Sequence, residues 1–395
     1  MDSREEFLQL QGQTSPYPFL IEVDRAEGSY IYDREGKAYL DMISGVAVNN
    51  IGHGHPRVLD ALQKQIQRHL HVMVYGEFVQ EAPLEMAREL HKILPNALDC
   101  VYPVNSGTEA VEAALKLTKR VTGRQELVAF KGSYHGSTHG SMSVSYNEGK
   151  KSTFRPLLPG VRFIELNKKE DLQWITTKTA GVILETIQGD AGVRIPEQSY
   201  IKLLRERCDE VGALLILDEI QCGLGRSGKY FAFEHFGIVP DILTLGKALG
   251  GGMPIGALIS SKEKLQQFTE KPVLGHITTF GGHPVNCAAA AAFLKVLQEE
   301  IELNEVESKG SWLEAQLSKR PEVKDIRRVG LMFAIDMESA DRVDRLVKKC
   351  LEKGLISFWF LSHPYSFRLS PPLNITKKEL EEAAAIIIES IEESK

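Results

Sequence analysis

The sequence contains little cysteine, and its five cysteines are scattered along 395 residues. No two of them form a Cys-x-x-Cys pair, so their spacing argues against a zinc ribbon and against a disulfide framework. Scattered thiols in odd number are typical of a reducing compartment, which predicts a cytoplasmic protein. The first residues, Met1-Asp-Ser-Arg-Glu-Glu, include no apolar segment, and we expect no secretory signal peptide there.

Long hydrophobic runs and dense basic tracts are also missing. The stretch from Pro272 to Leu294 carries no Asp, Glu, Lys or Arg, yet its histidines, threonines and glycines make it too polar and too broken to span a bilayer. A formal net charge of −6 argues against nucleic acid as the main partner. We therefore expect small-molecule partners, with no membrane and no nucleic acid among them.

Short apolar runs alternate with helical patterns through the middle of the chain. These runs are largely continuous, as the strands of a parallel sheet must be when helices cover both of its faces. The sequence therefore predicts an α/β fold. The predicted strands are Leu127–Phe130, Phe163–Leu166, Gly181–Ile187, Leu214–Leu217, Ile242–Leu245 and Ile255–Ile259.

The length of the chain predicts a large domain with a smaller companion, because 395 residues exceed one ordinary core. The pattern changes near residue 295, where a charged helix at Lys295–Glu305 precedes a strand at Leu331–Asp336. A last helix then begins with a capping box formed by Thr376 and Glu379. We assign residues 49–295 to a large domain, and residues 1–48 and 296–395 to a smaller α+β domain.

Three motif matches point to other functions and fail on their context. The glycines from Gly223 to Gly228 fit a dinucleotide-binding pattern, but no apolar helical period opens after them. The same segment is similar to a phosphate-binding loop, but Tyr230 occupies the position where that loop requires the hydroxyl of Ser or Thr. His135 and His139 have the spacing of two zinc ligands, but the glycines around them disfavour a helix. We expect no metal.

Two glycine-containing segments follow predicted strand ends. In the first, Ser106 and Glu109 predict a capping box, after which Gly107 and Thr108 open a helix whose N–H groups suit a phosphate. A cap without any ligand is the alternative. In the second segment, Lys131–Gly136, an aromatic or imidazole ring could stack on a flat ligand, although an ordinary turn would have the same sequence.

Two charged residues have unusually apolar surroundings. Asp218 follows four aliphatic residues and so lies at the mouth of a buried strand, where open α/β sheets bind ligands. A carboxylate there requires a cation, such as a protonated pyridine nitrogen; a helix cap or a salt bridge to Arg226 or Lys229 is the alternative. Lys247 has Leu245 and Ala248 as neighbours, which would desolvate its amine, lower its pKa and suit it to Schiff-base chemistry. A solvated surface lysine is the alternative.

Six ordered motifs in this sequence resemble those of the class III aminotransferases of pyridoxal-phosphate fold type I. The motifs are NSGTEA, YHG, ETIQGD, LDEIQCGLGRSG, TLGKALGGG and TTFGGHP. The segments GVAVNNIGHGHP near the N-terminus and RLSPPL near the C-terminus extend the resemblance over nearly the whole chain. It implies a large domain with a mainly parallel sheet flanked by helices, a smaller α+β domain, and pyridoxal 5'-phosphate as cofactor.

The resemblance also implies roles for single residues. Lys247 would carry the cofactor as a Schiff base, and Asp218 would pair with the ring nitrogen. Thr279 matches a threonine that reaches the phosphate of the neighbouring subunit, which implies a homodimer with shared active sites. The other implied cofactor contacts are Ser106, Gly107, Thr108, Tyr134, which would stack on the ring, His135, Glu185, Ile220 and Gln221. The implied substrate contacts are Arg368, which would grip the carboxylate of glutamate or 2-oxoglutarate, and Ser137, Asp190, Val46 and Thr278.

Two of these positions bear on the amino donor. Ser137 stands where acetylornithine, ornithine and 4-aminobutyrate enzymes have an arginine for the donor's distal carboxylate. Val46 stands where ornithine enzymes have a tyrosine and the other two types have an aliphatic residue. The resemblance thus implies transfer of an ω-amino group from an acetylornithine- or 4-aminobutyrate-like donor to 2-oxoglutarate, giving a semialdehyde and glutamate. A diamine or other ω-amino donor without that carboxylate, or a semialdehyde aminomutase, are the alternatives.

Overall fold

A seven-stranded sheet forms the centre of the protein, whose computed structural model describes residues 2–395. Only β10 runs against the other strands, since it pairs antiparallel with both of its neighbours. In spatial order, and numbered along the chain, the strands are β4 (Cys100–Val104), β10 (Gly256–Ser260), β9 (Ile242–Leu245), β8 (Leu214–Asp218), β7 (Thr179–Glu185), β5 (Glu126–Phe130) and β6 (Val161–Ile164).

The predicted α/β class and the six predicted central strands are confirmed, with ends that shift by up to two residues. The predicted mainly parallel sheet is also confirmed, and β10 is its one antiparallel strand. Only ten residues separate the end of β9 at Leu245 from the start of β10 at Gly256. That length is shorter than the crossover that a parallel pair requires, so the chain turns back beside β9.

Helices cover both faces of this sheet, and the strands are buried on both sides. In β8, Leu215 and Leu217 pack into one apolar cluster, whereas Leu214 and Ile216 pack into the other. This division explains why the strand sequences are apolar at every position. The helices are α1 (Ser3–Leu10), α2 (Ser44–Ala47), α3 (Pro56–Arg68), α4 (Glu81–His91), α5 (Gly107–Thr122), α6 (His139–Val144), α7 (Glu148–Lys151), α8 (Gln198–Val211), α9 (Lys262–Leu265), α10 (Pro284–Glu299), α11 (Leu303–Leu317), α12 (Ala340–Glu352) and α13 (Lys377–Glu393).

Two four-stranded sheets lie outside the central one. The first combines an N-terminal antiparallel meander with a short strand from the C-terminal part of the chain, which pairs parallel to β3. Its strands are β1 (Val23–Glu27), β2 (Tyr30–Asp33), β3 (Ala38–Asp41) and β13 (Leu355–Ile356). The second is antiparallel, with the order β11 (Asp325–Val329), β12 (Met332–Asp336), β15 (Ser366–Leu369) and β14 (Phe358–Trp359). The proposed domain boundaries at residues 49 and 295 stay a prediction.

The C-terminal helices differ in one respect from the prediction. The charged helix expected at Lys295–Glu305 is two helices, because α10 ends at Glu299 and α11 begins at Leu303. Acidic side chains at the C-terminal end of a helix interact unfavourably with the helix dipole. Glu299 and Glu300 lie at this end of α10, and both form ion pairs with Arg57. The capping box of Thr376 and Glu379 is confirmed at the start of α13.

A buried guanidinium joins three distant parts of the chain. Arg226 is fully buried and donates hydrogen bonds to Asn50 Oδ1 at 2.5 Å, Leu331 O at 3.1 Å and Pro371 O at 2.6 Å. It therefore makes no salt bridge with Asp218, which was one alternative for that carboxylate. Within residues 2–395, no helix has the length and apolar character that crossing a membrane requires.

Candidate active site

A cavity of about 190 Å³ lies at the carboxyl-end edge of the central sheet. Glu185 ends β7 and Asp218 ends β8, while Lys247 follows β9, so three neighbouring strands deliver these side chains to one place. Parallel strands gather ligand-binding residues at this edge. The lining residues are Gly107, Thr108, Tyr134, His135, Gly136, Glu185, Ile187, Asp218, Ile220, Gln221, Cys222 and Lys247.

Lys247 lies in a strained and apolar setting. Its φ of 42° is in the left-handed region, which a residue with a side chain rarely adopts. Burial lowers the pKa of its amine, an effect that the attraction of Asp218 and Glu185 opposes. A lysine with a lowered pKa carries more of the neutral, nucleophilic amine, so the predicted Schiff-base chemistry fits this position.

Asp218 also lines the cavity and is held by two donors. Its Oδ2 lies 2.7 Å from Nδ1 of His135, and its Oδ1 accepts a hydrogen bond from the backbone N–H of Ile220 at 3.1 Å. His135 is itself fixed, because its backbone N–H donates to Ser145 Oγ at 2.8 Å. The imidazole, which the sequence offered as a stacking ring, thus lies against the carboxylate.

The start of α5 supplies the polar end of the cavity. Ser106 caps the helix, and its Oγ accepts from Glu109 N at 3.3 Å. The second half of the predicted capping box was wrong, since the carboxylate of Glu109 accepts from the backbone and side-chain nitrogens of Asn105 at 2.8 and 2.9 Å. A Cβ added to Gly107 would lie 2.8 Å from Ile220 Cδ1, so glycine is required for this close approach. Backbone N–H groups at a helix start are suited to an anion.

Glu185 lies beneath the cavity and orders the loops around it. Its carboxylate accepts hydrogen bonds from Tyr134 N at 2.8 Å and from Gly189 N at 2.9 Å. Burial raises the pKa of Glu185 to about 7, and the charge of Asp218 adds to this rise, while His135 and the two hydrogen bonds oppose it. The Tyr134 ring stands at the mouth, where its hydroxyl lies 3.1 Å from Ser137 Oγ.

A buried ion pair lies next to the cavity. Arg368 Nη2 donates to Asp190 Oδ1 at 3.1 Å, and both side chains are buried. Asp190 also accepts from the backbone N–H of Leu361 at 3.1 Å and from Ser362 Oγ at 2.8 Å. The guanidinium lies 4.4 Å from the centre of the Phe360 ring. Asp190, which the resemblance places near the substrate, thus reaches the arginine that is expected to bind the substrate carboxylate.

A second cavity of about 330 Å³ opens beside the first. Tyr134 and Gly136 line both cavities, and Ser137 and Asp190 line only the second. Its remaining walls include Lys150 and Ser362, which the sequence patterns did not single out. Cys222 and Ile187 of the first cavity were likewise missed, although Cys222 follows Gln221 directly and proximity to the motif could have marked it.

Five predicted site residues lie outside the walls of both cavities, namely Val46, Ser106, Thr278, Thr279 and Arg368. Thr278 and Thr279 belong to the loop before α10, and neither lines a cavity within the one chain described. Val46 lies in α2, a left-handed turn that runs beside Lys247–Gly250 and in which Ser44, Gly45, Val46 and Ala47 all have positive φ. Residues 2–395 contain no group of three or more His, Cys, Asp or Glu placed to hold a metal ion.

Comparison with known proteins gives one consistent family. A family model described as "Aminotransferase class-III" matches residues 12–391. The acetylornithine aminotransferase of Clostridium acetobutylicum is 38% identical over 386 residues, covering 94% of this chain and 97% of that protein. A [LysW]-aminoadipate semialdehyde/glutamate semialdehyde transaminase of Sulfurisphaera tokodaii is 37% identical over 388 residues, covering 96% and 95%. The solved ornithine aminotransferase of Toxoplasma gondii ME49 superposes with a TM-score of 0.92 at 30% identity, covering 100% and 97%.

Proposed function

Because the chain belongs to the class III aminotransferases, which depend on pyridoxal 5'-phosphate, we propose that it moves the ω-amino group of an acetylornithine- or 4-aminobutyrate-like donor to 2-oxoglutarate. The products are a semialdehyde and glutamate. The observation that carries this proposal is the single cavity in which the Lys247 amine and the Asp218 carboxylate are brought together. Relatives named for acetylornithine support the ω-amino donor.

The residues of the cavity fit the cofactor. When bound, pyridoxal 5'-phosphate supplies an aldehyde that condenses with amines and a ring that withdraws electrons. Lys247 would hold the aldehyde end, and Asp218 would hold the ring nitrogen in its protonated form. Ser106, Gly107 and Thr108 would bind the phosphate at the start of α5, where Gly107 leaves no side chain in the way. Tyr134, Ile220 and Gln221 would enclose the ring.

Lys247 is also the group that moves the proton. Burial lowers the pKa of Lys247 and so favours the neutral amine, which can remove the proton from the donor carbon that bears the amino group. His135 holds Asp218 in its orientation through the 2.7 Å contact. Glu185 holds the backbone of Tyr134 in place, so the aromatic ring closes the mouth of the site.

Arg368 serves the second substrate. Its guanidinium is suited to the carboxylate of glutamate or 2-oxoglutarate, because the planar fork donates two parallel hydrogen bonds. In the structure this guanidinium already donates one hydrogen bond of 3.1 Å to the carboxylate of Asp190. A substrate carboxylate must therefore compete with Asp190, whereas an ω-amino donor can react while the pair stays closed. An external 2-oxo acid also separates this reaction from that of an aminomutase, which needs none.

We further propose a homodimer with shared active sites. Thr279 lies outside the cavity of its own chain, and the next residue, Phe280, is an apolar side chain that is 53% exposed. Val79 is a second exposed apolar side chain, at 94%. The His71 ring lies 5.1 Å from the Phe280 ring, so residues 71 and 280 belong to one patch. Apolar patches of this kind mark protein interfaces. A cytoplasmic location is proposed from the five unpaired thiols, of which four are buried.

The proposal is tested by supplying purified enzyme with 2-oxoglutarate and a series of ω-amines, and by measuring glutamate. We expect glutamate to form with N-acetylornithine or 4-aminobutyrate. If a diamine is the best donor, the second candidate function, transamination of a donor without the distal carboxylate, is favoured. The uncharged Ser137 is the observation that supports this second candidate. Absence of glutamate with every donor would refute transamination.

Lys247→Ala tests the assignment of the cofactor lysine. The variant should lose the yellow absorbance that borohydride bleaches, together with all but a trace of activity. An unchanged absorption spectrum would refute the assignment. The exposed Lys169→Met, remote from both cavities, is the matched control and should keep spectrum and activity.

A further inference from the structure

The wall of the second cavity includes a lysine, Lys150, that makes no ion pair within residues 2–395. Its lining residues are Ser133, Tyr134, Gly136, Ser137, His139, Met142, Ser145, Asn147, Lys150, Lys151, Phe154, Asp190 and Ser362. We propose that Lys150 binds the anionic end of the amino donor and so supplies the charge that Ser137 does not. The inference rests on the proposed function and specifies its substrate class as ω-amino compounds with a remote carboxylate.

The two cavities form one path for a substrate. Tyr134 and Gly136 line both, so a molecule whose amino group reaches Lys247 can extend past the Tyr134 ring into the second cavity. Ser137 lies on this path, with its Oγ 3.1 Å from the Tyr134 hydroxyl. The tail of the donor therefore lies in the second cavity when its amino group is at the reacting end of the first.

The other cations around the second cavity are already paired. Lys151 donates to Ser145 O at 2.8 Å and lies 3.2 Å from Glu148, and Arg368 is paired with Asp190 at 3.1 Å. Arg155 pairs with the other oxygen of Glu148 at 2.8 Å. Lys150 makes no ion pair with any group of residues 2–395. Partial burial lowers the pKa of Lys150, while the opposite charge of Asp190 raises it and Arg368 lowers it, so the amine lies within electrostatic reach of the substrate-binding pair.

The segment that carries Lys150 is attached to the substrate site. Asn147, which precedes α7, donates from its side chain to Ser362 Oγ at 3.1 Å. Ser362 in turn donates to Asp190, the partner of Arg368. These two hydrogen bonds hold the start of α7 relative to Arg368, so the backbone that carries Lys150 is attached beside the cavity wall that its side chain lines.

The chemistry of the walls selects an anionic tail. Met142 and Phe154 offer apolar surface for methylene or acyl groups, and Ser137 offers a hydroxyl donor. A remote ammonium, as in a free diamine, would be repelled by the unpaired charge of Lys150. A remote carboxylate would instead gain a charge-assisted hydrogen bond. The cavity thus favours a carboxylated donor even without an arginine at position 137.

The test compares N-acetylornithine with N-acetylputrescine, which differs only by lacking the carboxylate. We expect the holoenzyme to prefer N-acetylornithine in kcat/KM, and Lys150→Met to reduce that preference by about tenfold or more, as expected for a lost charged hydrogen bond. Lys150→Arg should keep most of the preference. Lys169→Met, which removes an exposed lysine elsewhere, should leave the ratio unchanged.

A binding measurement provides a second readout that needs no turnover. N-acetylnorvaline has the carboxylate and acyl group but no ω-amine, so it cannot react. Calorimetry should show its dissociation constant rising by about tenfold or more in Lys150→Met relative to the wild type. An unchanged preference and an unchanged dissociation constant in this variant would overturn the role of Lys150 while leaving transamination intact. If the wild type forms no glutamate from any donor, the proposed function itself fails and the inference fails with it.

Discussion

Replacing Asp190 with asparagine should shift the enzyme toward glutamate and 2-oxoglutarate. In the wild type a substrate carboxylate must displace Asp190 from Arg368, and the lost contact is a buried, charged hydrogen bond of 3.1 Å. Such bonds contribute about 1.5–3 kcal/mol. Since about 1.4 kcal/mol corresponds to a factor of ten, the change should lower the KM for glutamate at least about tenfold. The lower end of the range is expected, because Leu361 and Ser362 hold Asp190 in place in both states.

The assay is a pair of half-reactions followed by stopped-flow absorbance of the bound cofactor, one with glutamate and one with N-acetylornithine. Asp190→Asn should improve glutamate relative to N-acetylornithine. Ser362→Ala keeps the charge of Asp190 and removes only one donor, so it should change the ratio much less. Asp209→Asn, at an exposed ion pair with Arg205, controls for loss of a surface carboxylate. A variant that melts like the wild type, yet binds glutamate no better, would refute competition for Arg368.

Two further predictions concern pH and assembly. Burial raises the pKa of Glu219 to about 7, against the two backbone N–H groups of Ala232 and Phe233 that lower it. Because the folded state binds the Glu219 proton more tightly than the unfolded state, protonation of Glu219 stabilises the fold. This contribution to the free energy of unfolding is fully present below about pH 4.5 and is lost as pH rises through about 7, a difference of about 3 kcal/mol at most. The melting temperature should therefore fall between pH 5 and 8, and less steeply in Glu219→Gln; equal slopes would contradict this. Light scattering should give the mass of a dimer. Val79→Asp, which places a charge on an exposed apolar position, should weaken the association of the two subunits. A monomeric wild type with full activity would contradict shared sites.

The sequence indicated the reacting residues because strand ends carry a recognisable pattern. Asp218 follows an uninterrupted aliphatic run and Lys247 follows another, and parallel strands bring such ends together whatever the rest of the chain does. The sequence pattern did not indicate that β10 runs antiparallel, because apolarity indicates burial and carries no information on strand direction. The helix start next to Glu109 was predicted correctly, but the partner of its carboxylate was not. Asn105, one residue before the cap Ser106, offers both a backbone and a side-chain donor to that carboxylate.

The substrate side could not be read in the same way. Lys150 lies in a short polar helix that has no periodic pattern, and Ser362 lies in a loop more than 200 residues away in sequence. Only the packed structure brings them to one cavity, through the contact of Asn147 with Ser362 at 3.1 Å. A lysine in such a segment looks like a solvated one until its surroundings are known.

The pairing of β13 with β3 has a consequence for how the protein is made. Residues 38–41 leave the ribosome early, but their partner Leu355–Ile356 follows only after more than 300 further residues. The central sheet, built from residues 100–260, can pair its strands before β13 has been synthesised. Until then, the edge of β3 that later pairs with β13 has no hydrogen-bonding partner. Open edges invite association with other chains. Nascent or truncated chains that end before residue 355 are therefore expected to depend on chaperones, whereas the finished chain closes that edge with its own strand.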